Sequence, residues 1–295
     1  MTAFVQLLFQ GFALGCIYAL VALGFTVIFR ASQVINFAQG SMLLVGAYLV
    51  SVLATGLSLP FGLAVIAAIA LLAAGGAVFQ MTVLRRMLGQ PVFGLVMVTI
   101  GLSIVINSSI AAIFGGNARI LGDPWGASSV GIGDVTFNWV RIWTVLATAL
   151  ILALYFVFDR YSRYGLAMRA TAADEEAAMA VGVPVRRVYA LAWAIAGGVA
   201  AVGGLFLAGF PSSVNPSLGD VALRAFPAVI LGGLNSPPGA VVGGITIGIV
   251  EVMASGYSPD WTGSNFSAVA PYVVMILVLL ARPYGLFGTA PVERV

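Results

Sequence analysis

The chain has 295 residues, 61% of them hydrophobic and 8% charged, with a mean hydropathy of +1.09 and a net charge of +3. Soluble domains carry about 25% charged residues, so an ordinary soluble fold is excluded and a membrane protein is expected. All thirteen basic residues are Arg, there is no His, and the single cysteine, Cys16, lies in an apolar run; a phosphate-loop lysine, a histidine base or metal ligand and a disulfide framework are therefore all excluded.

Residues 1–29 carry no charged side chain. They lack the positive start of a secretory signal and outrun its apolar core, so a permanent first span is expected. A crossing takes about 20 apolar residues. Residues 31–84 then hold two crossings with a turn at TGLSLP (55–60), residues 87–118 a long one, 142–158 a shorter one and 188–210 a sixth. PSSVNPSLGD (211–220) is too polar to cross. Residues 221–254 would make a helix about 50 Å long, too long for one upright span, and NSPPG (235–239) is a strong breaker. Two short crossings meeting at that turn are expected, then a last one over 264–281. The expected fold is an all-α polytopic membrane protein: one transmembrane domain over 1–295, a bundle of about nine helices, with eight as the alternative if 221–254 is one tilted helix.

The arginines orient the bundle. With nine passes and a cytoplasmic loop at 159–187, Arg30, Arg85, Arg86, Arg160, Arg163, Arg169, Arg186, Arg187, Arg282 and Arg294 lie inside, and only Arg119, Arg141 and Arg224 outside. The positive-inside rule then puts the N-terminus outside and the C-terminus in the cytoplasm. Trp125, Trp139, Trp143, Tyr257 and Trp261 fall near the outer boundary, where amphipathic rings sit well. Glycines in AIAGGVAAVGGLF (194–206) and GAVVGGITIG (239–248) let helix backbones approach closely.

Polar residues inside this apolar chain mark the candidate pathway. Asn36 to Gly40 and Asn235 to Gly239 share the pattern Asn-x-x-x-Gly, and interrupted segments in corresponding halves can mark a transport path. Asn36, Gln39, Gly40, Ser41, Asn235 and Ser236 are candidates for a path or cytoplasmic gate; a helix N-cap at the inner face and a Pro-Gly turn are the plainer readings. Thr99, Ser103, Asn107 and Ser108 recur at helical spacing, which fits interhelical hydrogen bonds or a polar track. Glu251 lies four residues before Ser255 and is expected to reach the outer surface; Asp220 and Arg224 are expected to pair at i and i+4.

Between Asp159 and Arg187 stand nine of the 23 charged residues. Thr171 is a candidate N-cap for a helix of about ten residues, with Asp174, Glu175 and Glu176 in its first turns and Gly182 and Pro184 closing it. Ala173, Ala177, Ala180 and Val181 share one small, flat face. Passive helix connections take about 2 to 8 residues. A solvated connecting helix and a docking helix for a cytoplasmic partner are both open at this point.

EAAMAVG (176–182) resembles the Glu-Ala-Ala-x-x-x-Gly loop of ABC importer permeases, and YGLAMRATAADEEAAMAVGV around it resembles the cytoplasmic loop of branched-chain amino-acid permeases. ALVALGFTVIFRASQVINFAQGSMLLVGAYL (19–49) and FPAVILGGLNSPPGAVVGGITIG (226–248) are similar to hallmark stretches of that family's smaller permease subunit. The resemblance implies the ABC importer permease fold at the bacterial inner membrane and import of Leu, Ile and Val. It also implies a homologous second permease, two ATPase subunits that bind ATP and Mg, and a periplasmic solute-binding protein, with no cofactor in this chain and no nucleic acid. Gly165, Arg169, Asp174, Glu175, Glu176, Ala177, Ala178 and Gly182 would form or brace the coupling helix. Urea, short amides or other amino acids are the alternative solutes; a self-sufficient carrier or channel and an intramembrane enzyme are the other classes. Neither a convincing mid-membrane ionisable group nor a catalytic constellation supports these.

Overall fold

Segments that are apolar on every side have no polar face to turn to water, so as helices they are satisfied in lipid or inside a bundle. The computed structural model describes residues 2–87, 90–132, 135–209, 212–258 and 266–288 and is mostly helical. In chain order the helices are α1 (Thr2–Ser32), α2 (Gln39–Ser51, prolonged by a π turn, Val52–Gly56), α3 (Phe61–Thr82), α4 (Val92–Phe114), α5 (Trp139–Tyr161), α6 (Arg163–Ala173), α7 (Glu175–Ala180), α8 (Val185–Leu207), α9 (Val221–Gly232), α10 (Pro237–Tyr257) and α11 (Phe266–Ala281).

Seven of these are long and apolar enough to cross a membrane: α1, α2 with its π turn, α3, α4, α5, α8 and α10. At 16 residues α11 is shorter, and the 12 residues of α9 rise only about 18 Å, well short of the ~30 Å hydrocarbon core. Nine full crossings are therefore not confirmed. One continuous helix over 221–254 is excluded, because α9 ends at Gly233 (φ +100°) and α10 starts at its own cap, Ser236.

The core forms around α1, which is buried at most positions from Gly11 to Ile28. It packs against α8, α9 and α10. Two crossings depend on missing side chains. A methyl group at Gly248 of α10 would strike the backbone of Gly15 in α1, and one at Gly204 of α8 would strike the Leu43 carbonyl in α2. Small residues thus let the backbones touch where lipid supplies no hydrophobic drive for helix association.

The two ends of the bundle differ in charge. At one end Asp159 joins Arg30 at 3.3 Å and Arg169 at 3.5 Å, tying α1, α5 and α6 together. Arg85 and Arg86 follow α3, Arg186 and Arg187 open α8, and Arg282 follows α11 at that same end. The opposite end carries Arg119, stacked over the Phe114 ring at 5.0 Å, and Trp125 packed on Trp143 and Phe61. It also carries a feature that corrects the all-α expectation, an antiparallel hairpin of β1 (Ser129–Ile132) and β2 (Val135–Asn138) with Val130 opposite Phe137. Phe137 meets Phe9 edge-on at 4.7 Å, seating the hairpin on α1. Trp261 and Arg294 lie outside the described residues.

Candidate functional site

Two places in the fold gather the residues singled out by sequence. The first is a break inside the bundle. After α1 ends at Ser32, residues 33–38 turn back into the protein, so that Gln39 begins α2 beside Gly24 of α1, eight residues before that helix ends. This places the Gln39 amide about 12 Å from the end of α1. The plainer of the two readings, a side-chain cap at the inner face, is not what forms: α2 has no side-chain cap and the break is buried. Extended backbone at such depth must find partners in the protein. Asn36 Oδ1 accepts from the Ala38 N–H at 3.0 Å, and Asn36 Nδ2 donates to Gln39 Oε1 at 3.2 Å. Gln39 Nε2 donates to the Ala196 carbonyl of α8 at 3.3 Å, and the Phe37 N–H donates to Thr99 Oγ1 of α4 at 3.2 Å. The Ser41 and Ser103 hydroxyls lie 2.7 Å apart.

Helix α9 meets the same level from the other side. Its entry, the 3-10 turn Pro216–Asp220, carries Gly219 beside Gly40 and Asn107, and its Phe226 stacks on Phe37 at 6.1 Å. Asn36, Gln39, Gly40, Ser41, Thr99, Ser103 and Asn107 therefore form one polar belt. Asn36, Gln39, Ser41 and Thr99 are buried, whereas Asn107 and Ser108 are exposed on α4. Asn235 and Ser236 stand elsewhere, at the arginine-rich end beside Arg30 and Asp159. Ser236 Oγ accepts from the Gly239 N–H at 3.1 Å, an N-cap for α10. The shared Asn-x-x-x-Gly pattern thus marks two different structures.

The second place is the loop 159–187, at the arginine-rich end. Instead of one helix capped by Thr171 it contains two, α6 and α7. Asp174 separates them, its extended backbone (φ −159°) stopping α6 and its carboxylate accepting from the Ala177 N–H at 3.0 Å. Thr171 lies within α6 and bonds back to the Ala167 carbonyl. Asp is as good an N-cap as Ser or Asn and better than Thr, and a Thr hydroxyl can be satisfied inside a helix, which decides between them. At the other end Gly182 takes φ +86°, its N–H reaching the Met179 carbonyl while that of Val183 reaches Ala178. This paired C-terminal closure requires a left-handed residue.

Ser162 caps α6 through the Gly165 N–H at 2.8 Å, and Gly165 lies against the Phe158 and Asp159 carbonyls. Arg169 is held by Asp159. Ala178 faces inward, while Glu175, Glu176, Ala177, Ala180 and Gly182 are exposed, with Met179 at 51% and Val181 at 81%. The expected small face of Ala173, Ala177, Ala180 and Val181 is exposed at all four positions.

Sequence reading missed a third cluster. Glu251 does not reach the outer surface; it is buried, accepting from the Tyr18 hydroxyl of α1 at 2.5 Å and pairing with Arg224 of α9 at 3.4 Å. Arg224 therefore engages α10 rather than Asp220 at i and i+4. The missed signal was helix length. Because α10 continues through Ser255 and Gly256 to Tyr257, Glu251 lies well within it.

Comparison with known proteins adds to this geometry. Residues 7–279 match the family model described as branched-chain amino acid transport system / permease component. The high-affinity branched-chain amino acid transport system permease protein LivH of Salmonella typhimurium is 32% identical, with 99% of this chain and 98% of that protein covered. BraD of Pseudomonas aeruginosa, described in the same words, is 29% identical at the same coverage. A probable branched-chain amino acid transport permease protein LivH of Methanocaldococcus jannaschii is 28% identical, covering 91% of this chain and 88% of that one.

Proposed function

Because the chain belongs to the family of branched-chain amino acid transport permease components, we propose that it is the membrane-spanning permease subunit of an ATP-driven importer for Leu, Ile and Val. ATP hydrolysis, with its ATP and Mg, is assigned to two separate ATPase chains, and delivery of the solute to a periplasmic binding protein. The observation that carries this reading is the loop 159–187. Two capped helices held on α5 by Ser162 and Asp159 present Glu176, Ala177, Met179 and Val181 outward at the arginine-rich end. A connection that merely joined α5 to α8 would need neither two caps nor an exposed apolar tip.

The arginine-rich end is the cytoplasmic one on the positive-inside rule, so the N-terminus lies outside, in a multi-pass inner-membrane protein. Gly165, Arg169, Asp174, Glu175, Glu176, Ala177, Ala178 and Gly182 then form or brace the coupling element. The buried belt from Asn36 to Thr99 is the closed level of the pathway, with α2 and α9 starting against it. Asn107 and Ser108 are exposed within a span, where contact with lipid alone is unfavourable for polar groups; this face of α4 is assigned to the second permease subunit or to the path between the two. Urea and short amides remain the alternative cargo.

The test is ATP hydrolysis by the purified complex in lipid, with and without leucine-loaded binding protein, for the wild type and for Glu176→Arg combined with Gly182→Pro. The expected result is stimulation in the wild type and none in the double variant, which still inserts. Unchanged stimulation in the double variant refutes the docking role of α7.

A further inference from the structure

A cavity of about 410 Å³ opens at the arginine-rich end between α7, the start of α8, the end of α3 and the start of α4. That volume lies at the small end of the range for ligand sites, about 300–1,000 Å³. Its charged lining is one carboxylate and one guanidinium, Glu175 of α7 and Arg186 of α8. Both are exposed and neither makes an ion pair among the described residues, although the Tyr189 hydroxyl, also in the lining, lies beside the Glu175 carboxylate. Leu84, Leu95, Met179 and Trp193 supply apolar lining. Gln80, a residue only 3% exposed, also lines the cavity.

We propose that this cavity is a cytoplasmic binding site for a free α-amino acid with an apolar side chain, through which the imported product slows its own import. The α-ammonium meets Glu175, the α-carboxylate meets Arg186 by charge-assisted hydrogen bonds, and the aliphatic side chain lies among Leu84, Leu95 and Trp193 with Gln80 bonded to the polar head. A fatty acid or a simple anion pairs with Arg186 alone and a cation with Glu175 alone, whereas a zwitterion with an apolar tail pairs with both and fills the lining.

The position supplies the regulation. The cavity is bounded on one side by α7 and on another by Val34, which belongs to the buried break, and Trp193 lies one turn before Ala196, whose carbonyl holds Gln39. A ligand bridging Glu175 and Arg186 ties α7 to α8 and favours the conformation in which the break is closed, which is a population shift set by its preference for that state. The proposal rests on the importer reading above for its ligand class and for the role of α7.

The experiment has two arms on the complete purified complex. In the first, radiolabelled leucine is titrated by equilibrium dialysis without ATP or binding protein, for the wild type, Arg186→Gln and Gln80→Met. Saturable binding is expected, weakened about tenfold by Arg186→Gln, the scale of one lost charge-assisted bond. Binding that is absent, or unchanged in both variants, overturns the site. In the second, ATP-dependent uptake is measured into proteoliposomes that are empty or preloaded with leucine or with aspartate. Slower uptake with internal leucine only, relieved in both variants while uptake into empty vesicles stays at the wild-type rate, supports the proposal. Equal slowing in the variants overturns it. Failure of uptake into empty vesicles refutes the importer reading instead, and the dialysis arm still decides the site.

Discussion

The cluster of Glu251, Tyr18 and Arg224 invites a quantitative test, because its two contacts differ in setting. The Tyr18 hydroxyl is buried between α1 and α10 and reaches the carboxylate at 2.5 Å. Interhelical hydrogen bonds in membrane proteins average about 0.6 kcal/mol and reach about 1.7. A short bond to a carboxylate belongs near the top of that range, at about 1.5 kcal/mol. Arg224 is closer to an ordinary surface partner, with its side chain 49% exposed and its nitrogen 3.4 Å away; after screening, such a pair contributes about 0 to 1 kcal/mol. Two double-mutant cycles separate the contacts, Tyr18→Phe with Glu251→Leu and Arg224→Gln with Glu251→Leu, read as unfolding free energies in mixed micelles. The first coupling energy should exceed the second by about 1 kcal/mol. Equal couplings, or a larger one for Arg224, would show that the ion pair dominates and refute the reasoning.

Gly204→Val should abolish close packing of α2 on α8, since its added carbons meet the Leu43 backbone carbonyl, which cannot yield like a side chain; overpacking of this kind costs about 1–3 kcal/mol, visible as loss of a monodisperse peak in size-exclusion chromatography, and a wild-type profile would count against that contact. Asp159→Ala frees both Arg30 and Arg169. The Arg30 and Asp159 side chains are only 18% and 17% exposed, so the orphaned guanidinium should cost about 1–3 kcal/mol, and hydrogen exchange in α6 should accelerate. Exchange at the wild-type rate would mean that Ser162 alone anchors the loop.

Much of this architecture was legible because the responsible signals are local. Gly233 to Pro238 ends one helix and starts another wherever it sits, and runs of uncharged residues delimit spans by length. The charged loop announced itself by composition. What escaped depends on depth and partners. Nothing in residues 33–38 says that the chain folds back into the protein, because the groups that satisfy it come from Thr99 and Ala196, far along the sequence. Thr171 and Asp174 are both competent caps, and the second prevails because Asp caps better than Thr while the Thr171 hydroxyl is satisfied inside α6 by the Ala167 carbonyl. Glu251 was misplaced by the nearby polar loop residues, since Ser255 and Gly256 read as a turn but remain helical in α10. The hairpin went unread because its strands have four residues each, too short for period-2 alternation to stand out.

The buried start of α2 has an electrostatic consequence. A helix N-terminus carries about half a positive charge from its aligned peptide dipoles, and here it lies inside the bundle rather than in water. At an effective dielectric constant of about 20, half a charge acting on a monovalent cation about 6 Å away raises its energy by about 1.4 kcal/mol, a tenfold reduction in occupancy at that level. The same dipole favours the carboxylate end of a zwitterion. A protein that opens a path for a neutral solute across an energised membrane must not discharge the proton or sodium gradient while doing so; on the proposed reading, in which this level closes the path, the fold back between Ser32 and Gln39 would set a fixed positive potential against that leak without using a charged side chain.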